Sequence, residues 1–280
     1  MRKAPWFFCT LLLLIKLSFT SEGLTPQVEI WNPPFSTDAQ KTVTNYQFLK
    51  KVSKRWKICV SIPHLKDAFW LAVNYGLIDQ AKKMDVGVRI FSAGGYDQLE
   101  VQKRQLREAL ELDYDALILS GISSTGLEDE IKLWSAKGKP VIDLINFLDS
   151  KDITARAAVS YTEMAQVTGQ QLLKYHQNKP AKVAWFPGPE GAGWSQAGNQ
   201  GFINATKDSK IDIVSTIWGD TGKEVQANLI RQALKENQDI DYIVGTTVTA
   251  EAAVEILREK GLDKKVGIMA YYYGPGVDRG

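Results

Sequence analysis

The chain has 280 residues, with 34 Lys and Arg against 32 Asp and Glu, and so even a balance removes the electrostatic footprint of a nucleic-acid binder. Its only histidines are His64 and His176, and its only cysteines are Cys9 and Cys59. A His-based metal centre, a His-dependent catalytic triad and a disulfide framework are therefore poorly supplied.

Arg2 and Lys3 precede an apolar run from Trp6 to Ile15, and the small residues Ser18, Thr20, Ser21 and Gly23 follow. This is the layout of a secretory signal peptide over residues 1–23. The run is short of the roughly 20 apolar residues that span a bilayer, and Lys16 breaks it, so no membrane insertion is expected after cleavage. Cys9 lies inside the run with no small residues before it, which argues against a lipoprotein site. Cleavage removes Arg2, Lys3, Lys16 and Glu22 and leaves 31 basic and 31 acidic residues. It also leaves Cys59 alone, so export is inferred from the signal and not from cysteine pairing. Cys59 falls in the apolar run Lys57–Ile62 and reads as a small core residue.

Residues 24–53 carry Pro26, Pro33 and Pro34 and no clean period, and read as an N-terminal extension. The basic run Lys50–Lys57 reads as a solvated approach to the first strand. From Trp56 onward short apolar runs alternate with amphipathic segments. The runs are Lys57–Ile62, Val86–Ser92, Ala116–Ser120, Val141–Ile145, Lys182–Phe186, Ile211–Trp218, Tyr242–Gly245 and Val266–Ala270. Helical patterns cover Trp70–Met84, Gln98–Leu112, Gly126–Ala136, Met164–His176, Ala197–Lys207, Lys223–Glu236 and Glu251–Lys260. Strand–helix alternation with strands this short marks parallel sheets with crossover helices. The stretch Asn146–Arg156 lacks a helix and leads into a short extended run, Ala157–Ser160. It is expected to carry the chain to a second sheet, giving two α/β lobes, for which about 255 mature residues suffice.

Ligands of such sheets bind beyond the carboxyl ends of the strands, so the residues after each run carry the functional reading. After the first come Asp67, a good helix N-cap, and Phe69 and Trp70 in the first helical turn. After the second come Ala93–Asp97, where two glycines permit a tight turn that holds Tyr96. The third is followed by the hydroxyl-rich Gly121–Thr125 and the fourth by Asn146. Ser160–Glu163 has capping-box spacing and places Tyr161 in a first turn. The glycine-rich loop Pro187–Gly193 ends in Trp194; Trp218–Gly219–Asp220 and Tyr271–Tyr273 follow the last two runs at which rings appear. Asp143 and Asp220 could hydrogen-bond a ligand, and helix capping is the commoner use for Asp220. Aromatic faces bind alkylated cations and also stack on sugars. The loop around Gly191 lacks the third glycine of a dinucleotide fingerprint, and no Gly-x-Ser-x-Gly elbow of a hydrolase is present, Ser195 lying in Gly-Trp-Ser-Gln-Ala.

The segments Leu65–Leu71, Ala93–Tyr96, Pro187–Gly193, Gly245–Thr247 and Ala250–Ala253 resemble the type I periplasmic binding proteins, the ribose-binding-like group. They resemble most the branch that binds trimethylamine N-oxide and reports it to a transmembrane sensor histidine kinase. The resemblance implies two Rossmann-like lobes in the periplasm, no enzymatic activity, no cofactor and no metal. It implies trimethylamine N-oxide as ligand and the periplasmic sensor domain of the kinase as partner. It puts Trp70, Tyr96, Tyr161 and Tyr272 at cleft positions, with Asp67 and Trp194 beside them, and Tyr272 where sugar binders carry an Asp. The N-oxide oxygen would need a donor: a Tyr hydroxyl, the Trp70 indole N–H or amides at the helix start after Asp67.

The expected division is a signal peptide (1–23), an N-terminal extension (24–53), an N-terminal lobe (54–148), a C-terminal lobe (149–270) and a return toward the first lobe (271–280). The family resemblance implies a further helix and strands after Gly280, so a truncated piece is expected. The alternative reading is a sugar-binding receptor of a transport system. It would want Arg and Asp pairs for hydroxyls, whereas the strand ends offer rings and no Arg apart from Arg279.

Overall fold

The computed structural model describes residues 26–36, 39–177 and 179–274. The signal peptide and Arg279 lie outside them. Two parallel sheets make the framework. The first is built from β3 (Lys57–Ile62), β4 (Gly87–Ser92), β5 (Ala116–Leu119), β6 (Val141–Leu144) and β7 (Ala155–Ala157), in the order β4-β3-β5-β6-β7. The second holds β8 (Ala181–Phe186), β9 (Ile211–Thr216), β10 (Tyr242–Gly245) and β11 (Gly267–Ala270), in the order β11-β10-β8-β9. All neighbours within each sheet run parallel. In both, the chain starts in the middle, steps one way and then reverses. The crevice at the carboxyl ends of β3 and β5, and of β8 and β10, is where such a reversal opens a ligand site.

Strand alternation assigns each sheet two buried faces. Val60 and Ile62 pack with Trp70, Val73 and Leu77 of α1 (Ala68–Lys83). Cys59, Leu117 and Leu119 face the opposite way, onto Leu106 of α2 (Leu99–Glu111) and Ile131 and Trp134 of α3 (Glu128–Ala136). In the second sheet Val183 and Trp185 meet α4 (Tyr161–Tyr175) and α5 (Gly193–Thr206). Ala184 and Phe186 meet α6 (Lys223–Glu236) and α7 (Thr247–Glu259). Burial pushes the Cys59 thiol up to about 12, in keeping with an inert core residue.

Two stretches differ from the sequence reading. Within residues 24–53, β1 (Gln27–Asn32) and β2 (Gln40–Asn45) pair as an antiparallel ribbon, and Phe35 between them packs on the first core. Both strands are largely solvent-exposed, so no buried face imposed a readable alternation on them. The extended run expected at Ala157–Ser160 begins earlier, as β7, and belongs to the first sheet. The chain crosses only after it, directly into α4. A buried ion pair fixes this: Arg156 Nε donates to Asp143 Oδ2 at 2.7 Å, and its Nη2 donates to the Leu148 carbonyl at 2.6 Å. Asp143 Oδ2 also accepts from the Leu148 N–H at 2.9 Å. Burial raises the Asp143 carboxyl despite the opposing pull of Arg156 and that N–H. Asp143, read from sequence as able to hydrogen-bond a ligand, serves structure instead: it ties down the loop after β6.

Helices α4 and α5 approach closely through glycines. A Cβ at Gly201 would lie 2.0 Å from the Thr162 carbonyl oxygen, and one at Gly169 2.7 Å from the Ala205 Cβ. Helix propensity alone would make Gly201→Ala stabilising by about 1 kcal/mol. The clash makes it destabilising instead, by about 1–3 kcal/mol, read as a lower urea midpoint; a raised midpoint would contradict the close helix contact.

Candidate functional site

A small cavity lies between the carboxyl ends of the two sheets, with about 230 Å³ of empty space counting the open solvent at its mouth. Asp67, Phe69, Trp70, Tyr96, Ile145 and Asn146 line it from the first lobe. Tyr161, Trp194, Thr221 and Tyr272 complete it from the second. All six residues picked from sequence, Trp70, Tyr96, Tyr161, Tyr272, Asp67 and Trp194, are thus brought together. Phe69 stands where the family resemblance has a ligand-contacting residue, and Asn146 was visible at a strand end without being assigned to the site. Ile145 and Thr221 were missed, since neither residue type signals a ring or a charge.

Each side chain is placed by its local structure. Asp67 caps α1 through Oδ1, which accepts from the Trp70 N–H at 2.8 Å. Gly94 takes a φ of 105°, which lets the loop after β4 turn and bring Tyr96 inward. Ser160 caps α4 by accepting from the Glu163 N–H at 3.2 Å and so fixes Tyr161 as the first helical residue. Trp194 lies in the first turn of α5, and its ring occupies the space over Gly188. A Cβ at Gly188 would come within 2.6 Å of that ring, and its φ of 115° is a left-handed one. Tyr271 turns away from the cavity, its hydroxyl donating to the Pro187 carbonyl at 2.7 Å, and Tyr273 is exposed. Tyr272 is the tyrosine of the three that faces in.

The rings form a box. Tyr161 and Trp194 have centroids 5.4 Å apart, Tyr161 and Tyr272 5.9 Å, and Trp194 and Tyr272 5.8 Å, the last two pairs nearly perpendicular. Phe69 meets Tyr272 edge-on at 5.9 Å, joining the lobes. These are the spacings at which aromatic quadrupoles attract. Burial pushes the phenols of Tyr96, Tyr161 and Tyr272 upward, so each keeps its proton at neutral pH.

The polar atoms are few and directed. The Tyr96 hydroxyl accepts from Asn146 Nδ2 at 3.1 Å and from Trp194 Nε1 at 3.0 Å. With both lone pairs taken, it has a proton left to give. Asn146 Nδ2 also donates to the Gly121 carbonyl at 2.8 Å, which fixes the amide orientation; its Oδ1 is buried and has no partner. On the other side Thr221 donates to Asp67 Oδ2 at 3.0 Å. Asp220, which could have capped α6, instead reaches the first lobe: its Oδ2 accepts from the Tyr96 N–H and from Lys66 Nζ, both at 3.3 Å. Among the described residues no cluster of His, Cys, Asp and Glu is arranged to hold a metal ion.

Residues 58–276 match the model of a periplasmic binding protein domain. The chain is 32% identical to the periplasmic protein TorT of Escherichia coli K12 over 243 residues, 87% of this chain and 70% of that protein. It superposes with a TM-score of 0.73 and 42% identity on an ABC transporter solute binding protein from Bradyrhizobium sp. BTAi1, solved with bound bis-tris, covering 93% of this chain and 79% of that one. It also superposes on a chain of the TorS sensor domain–TorT complex solved in the presence of trimethylamine N-oxide (TM-score 0.70, 33% identity), covering 80% of this chain and 76% of that one.

The placement of Trp194 depends on a bare backbone beneath it. Gly188→Ala should push the indole off the Tyr96 hydroxyl, changing the near-UV circular dichroism while the far-UV spectrum stays the same. An unaltered near-UV spectrum would show that the ring does not need the glycine.

Proposed function

Because this chain belongs to the periplasmic binding protein family, we propose that it is a periplasmic receptor whose lobes close on trimethylamine N-oxide. The closed form is then read by the periplasmic sensor domain of a transmembrane histidine kinase of the TorS kind. The observation that carries this reading is the ring box with one directed donor. The faces of Trp194, Tyr161 and Tyr272 suit the methyl groups of a partly positive nitrogen. The Tyr96 hydroxyl, left with only its proton, suits a strongly accepting oxygen. Of the donors left open by the sequence, the amide at the start of α1 is engaged: the Trp70 N–H is held by Asp67.

A sugar fits the cavity less well. The one ionised side chain in the wall, Asp67, already holds a donor on each oxygen. Binding without catalysis agrees with the two aliphatic hydroxyls at hand: that of Thr221 in the wall is given to Asp67, and that of Ser195 is turned onto the Pro189 and Ala192 carbonyls.

A second reading has its own support. The Asn146 Oδ1 without a partner suits an N–H or O–H donor, which trimethylamine N-oxide lacks, and the Bradyrhizobium relative holds a hydroxylated tertiary amine. The chain would then be the receptor of an amine transporter. Calorimetric titration with trimethylamine N-oxide, bis-tris and ribose separates the readings. Tightest binding of the N-oxide supports the sensor, tightest binding of the amine the transporter, and ribose alone would overturn both.

Two substitutions test the residue roles. Tyr96→Phe keeps the ring and removes the donor, and is expected to weaken N-oxide binding about tenfold, the worth of one hydrogen bond of about 1.4 kcal/mol. Trp70→Ala removes a desolvated wall worth about 2 kcal/mol, a loss of roughly thirtyfold. Unchanged affinity in both variants would contradict the cage.

A further inference from the structure

Beside the cavity, and outside the ring box, a buried polar chain links the lobes. His64 follows β3 and is fully buried. Thr221 gives its only proton to Asp67 Oδ2, so at 3.0 Å from His64 Nε2 it must accept. The Lys66 N–H points at His64 Nδ1 from 3.3 Å. Both contacts require a neutral imidazole protonated on Nε2. Residues 64 and 67 belong to the first lobe, and residue 221 to the second. The chain therefore exists only while the lobes are together. Asp220 lies alongside, its Oδ1 3.5 Å from His64 Nε2.

We propose that His64 is a positioning residue for ligand capture: acting through the Thr221 hydroxyl, it holds the Asp67 carboxylate against the cavity and latches the two lobes in the closed arrangement. The latch rests on the reading of the cavity as a ligand site and supplies its regulation. A charged His64 would offer a proton from Nδ1 toward the Lys66 N–H, where an acceptor is needed, and would place a cation in a fully buried position.

The groups facing His64 pull in both directions. Asp67 from the β3–α1 loop and Asp220 from the β9–α6 loop favour the charged form. Lys66 opposes it, Tyr96 and Trp70 contribute neutral rings at 5.5 and 6.3 Å, and burial is the largest influence, lowering the imidazole. In the open cleft the imidazole returns toward its ordinary value near 6.5. A base lowered by closure favours the closed form above that ordinary value. The advantage is lost as pH falls through it toward the lowered value, by at most about tenfold per pH unit for one proton.

The test is a titration of the full chain with trimethylamine N-oxide from pH 8 to pH 5. Wild-type affinity should hold down to about pH 7 and then fall. His64→Gln, which can still donate to Thr221 but cannot take up a proton, should bind more weakly at pH 8 with an affinity independent of pH. Asp220→Asn removes a charge that favours the imidazolium in the closed form only, so its affinity should begin to fall at the same pH as wild type and continue falling to a lower pH. A flat wild-type profile, the same fall in His64→Gln, or a fall in Asp220→Asn that levels off no lower in pH than the wild type's would overturn the latch. Absence of N-oxide binding at pH 8 would instead count against the proposed ligand. Small-angle X-ray scattering then tests the latch alone: the wild type should open between pH 7.5 and 5.5 and His64→Gln should not, and equal behaviour of the two would overturn it.

Discussion

Two carboxylates, Asp67 and Asp220, lie at the seam between the lobes, and the surroundings of the cavity are organised around keeping them there. A buried carboxylate without partners is costly. Asp67 is satisfied by its own helix on one oxygen and by the opposite lobe on the other. Asp220 holds Lys66 and the Tyr96 N–H on Oδ2, both across the seam, and its Oδ1 lies 3.5 Å from His64 Nε2. Each lobe therefore carries a charge with a partner in the other. Opening the cleft trades these contacts for water, and closing it restores them, which is the kind of balanced two-state element a ligand can bias.

The ring box depends on the same closure. Its walls come from both lobes, and the backbones must approach for the rings to meet. Glycines permit the approach. A Cβ at Gly193 would lie 2.5 Å from the Phe147 carbonyl oxygen and 3.0 Å from that of Asn146, across the cleft. The Ser124 N–H reaches the Gly191 carbonyl at 3.3 Å on the same seam. The loop that faces these glycines is held by the Asp143–Arg156 pair, and its Ile145 and Phe147 take left-handed φ values of 70° and 58°. Strain of this kind persists only where the surroundings enforce it, and here it presents Ile145 and Asn146 to the cavity.

Much of this was legible in the sequence. The eight apolar runs read as strands each match one to within two residues at either end, because strands buried on both faces must be largely apolar. The rings were legible because the topology forces the residue after each strand toward the crevice, so a local feature carried global information. The ribbon β1–β2 was not, since it buries little, and β7 was not, since three residues held by a buried ion pair have no period. Thr221 and the partnership of His64 with Asp67 and Asp220 were invisible for a different reason. Their contacts join residues more than 150 positions apart, and nothing local distinguishes a latch residue from an ordinary loop hydroxyl or core histidine.

The central claim is that a methylated amine oxide is enclosed by aromatic faces. The proton NMR spectrum of trimethylamine N-oxide in the presence of the protein tests it most directly. Enclosure between Trp194, Tyr161 and Tyr272 should move the bound methyl resonance upfield through ring currents, and ribose added in excess should leave that shift in place. A methyl resonance that stays at its free position at saturating protein, or one restored by ribose, would contradict the account.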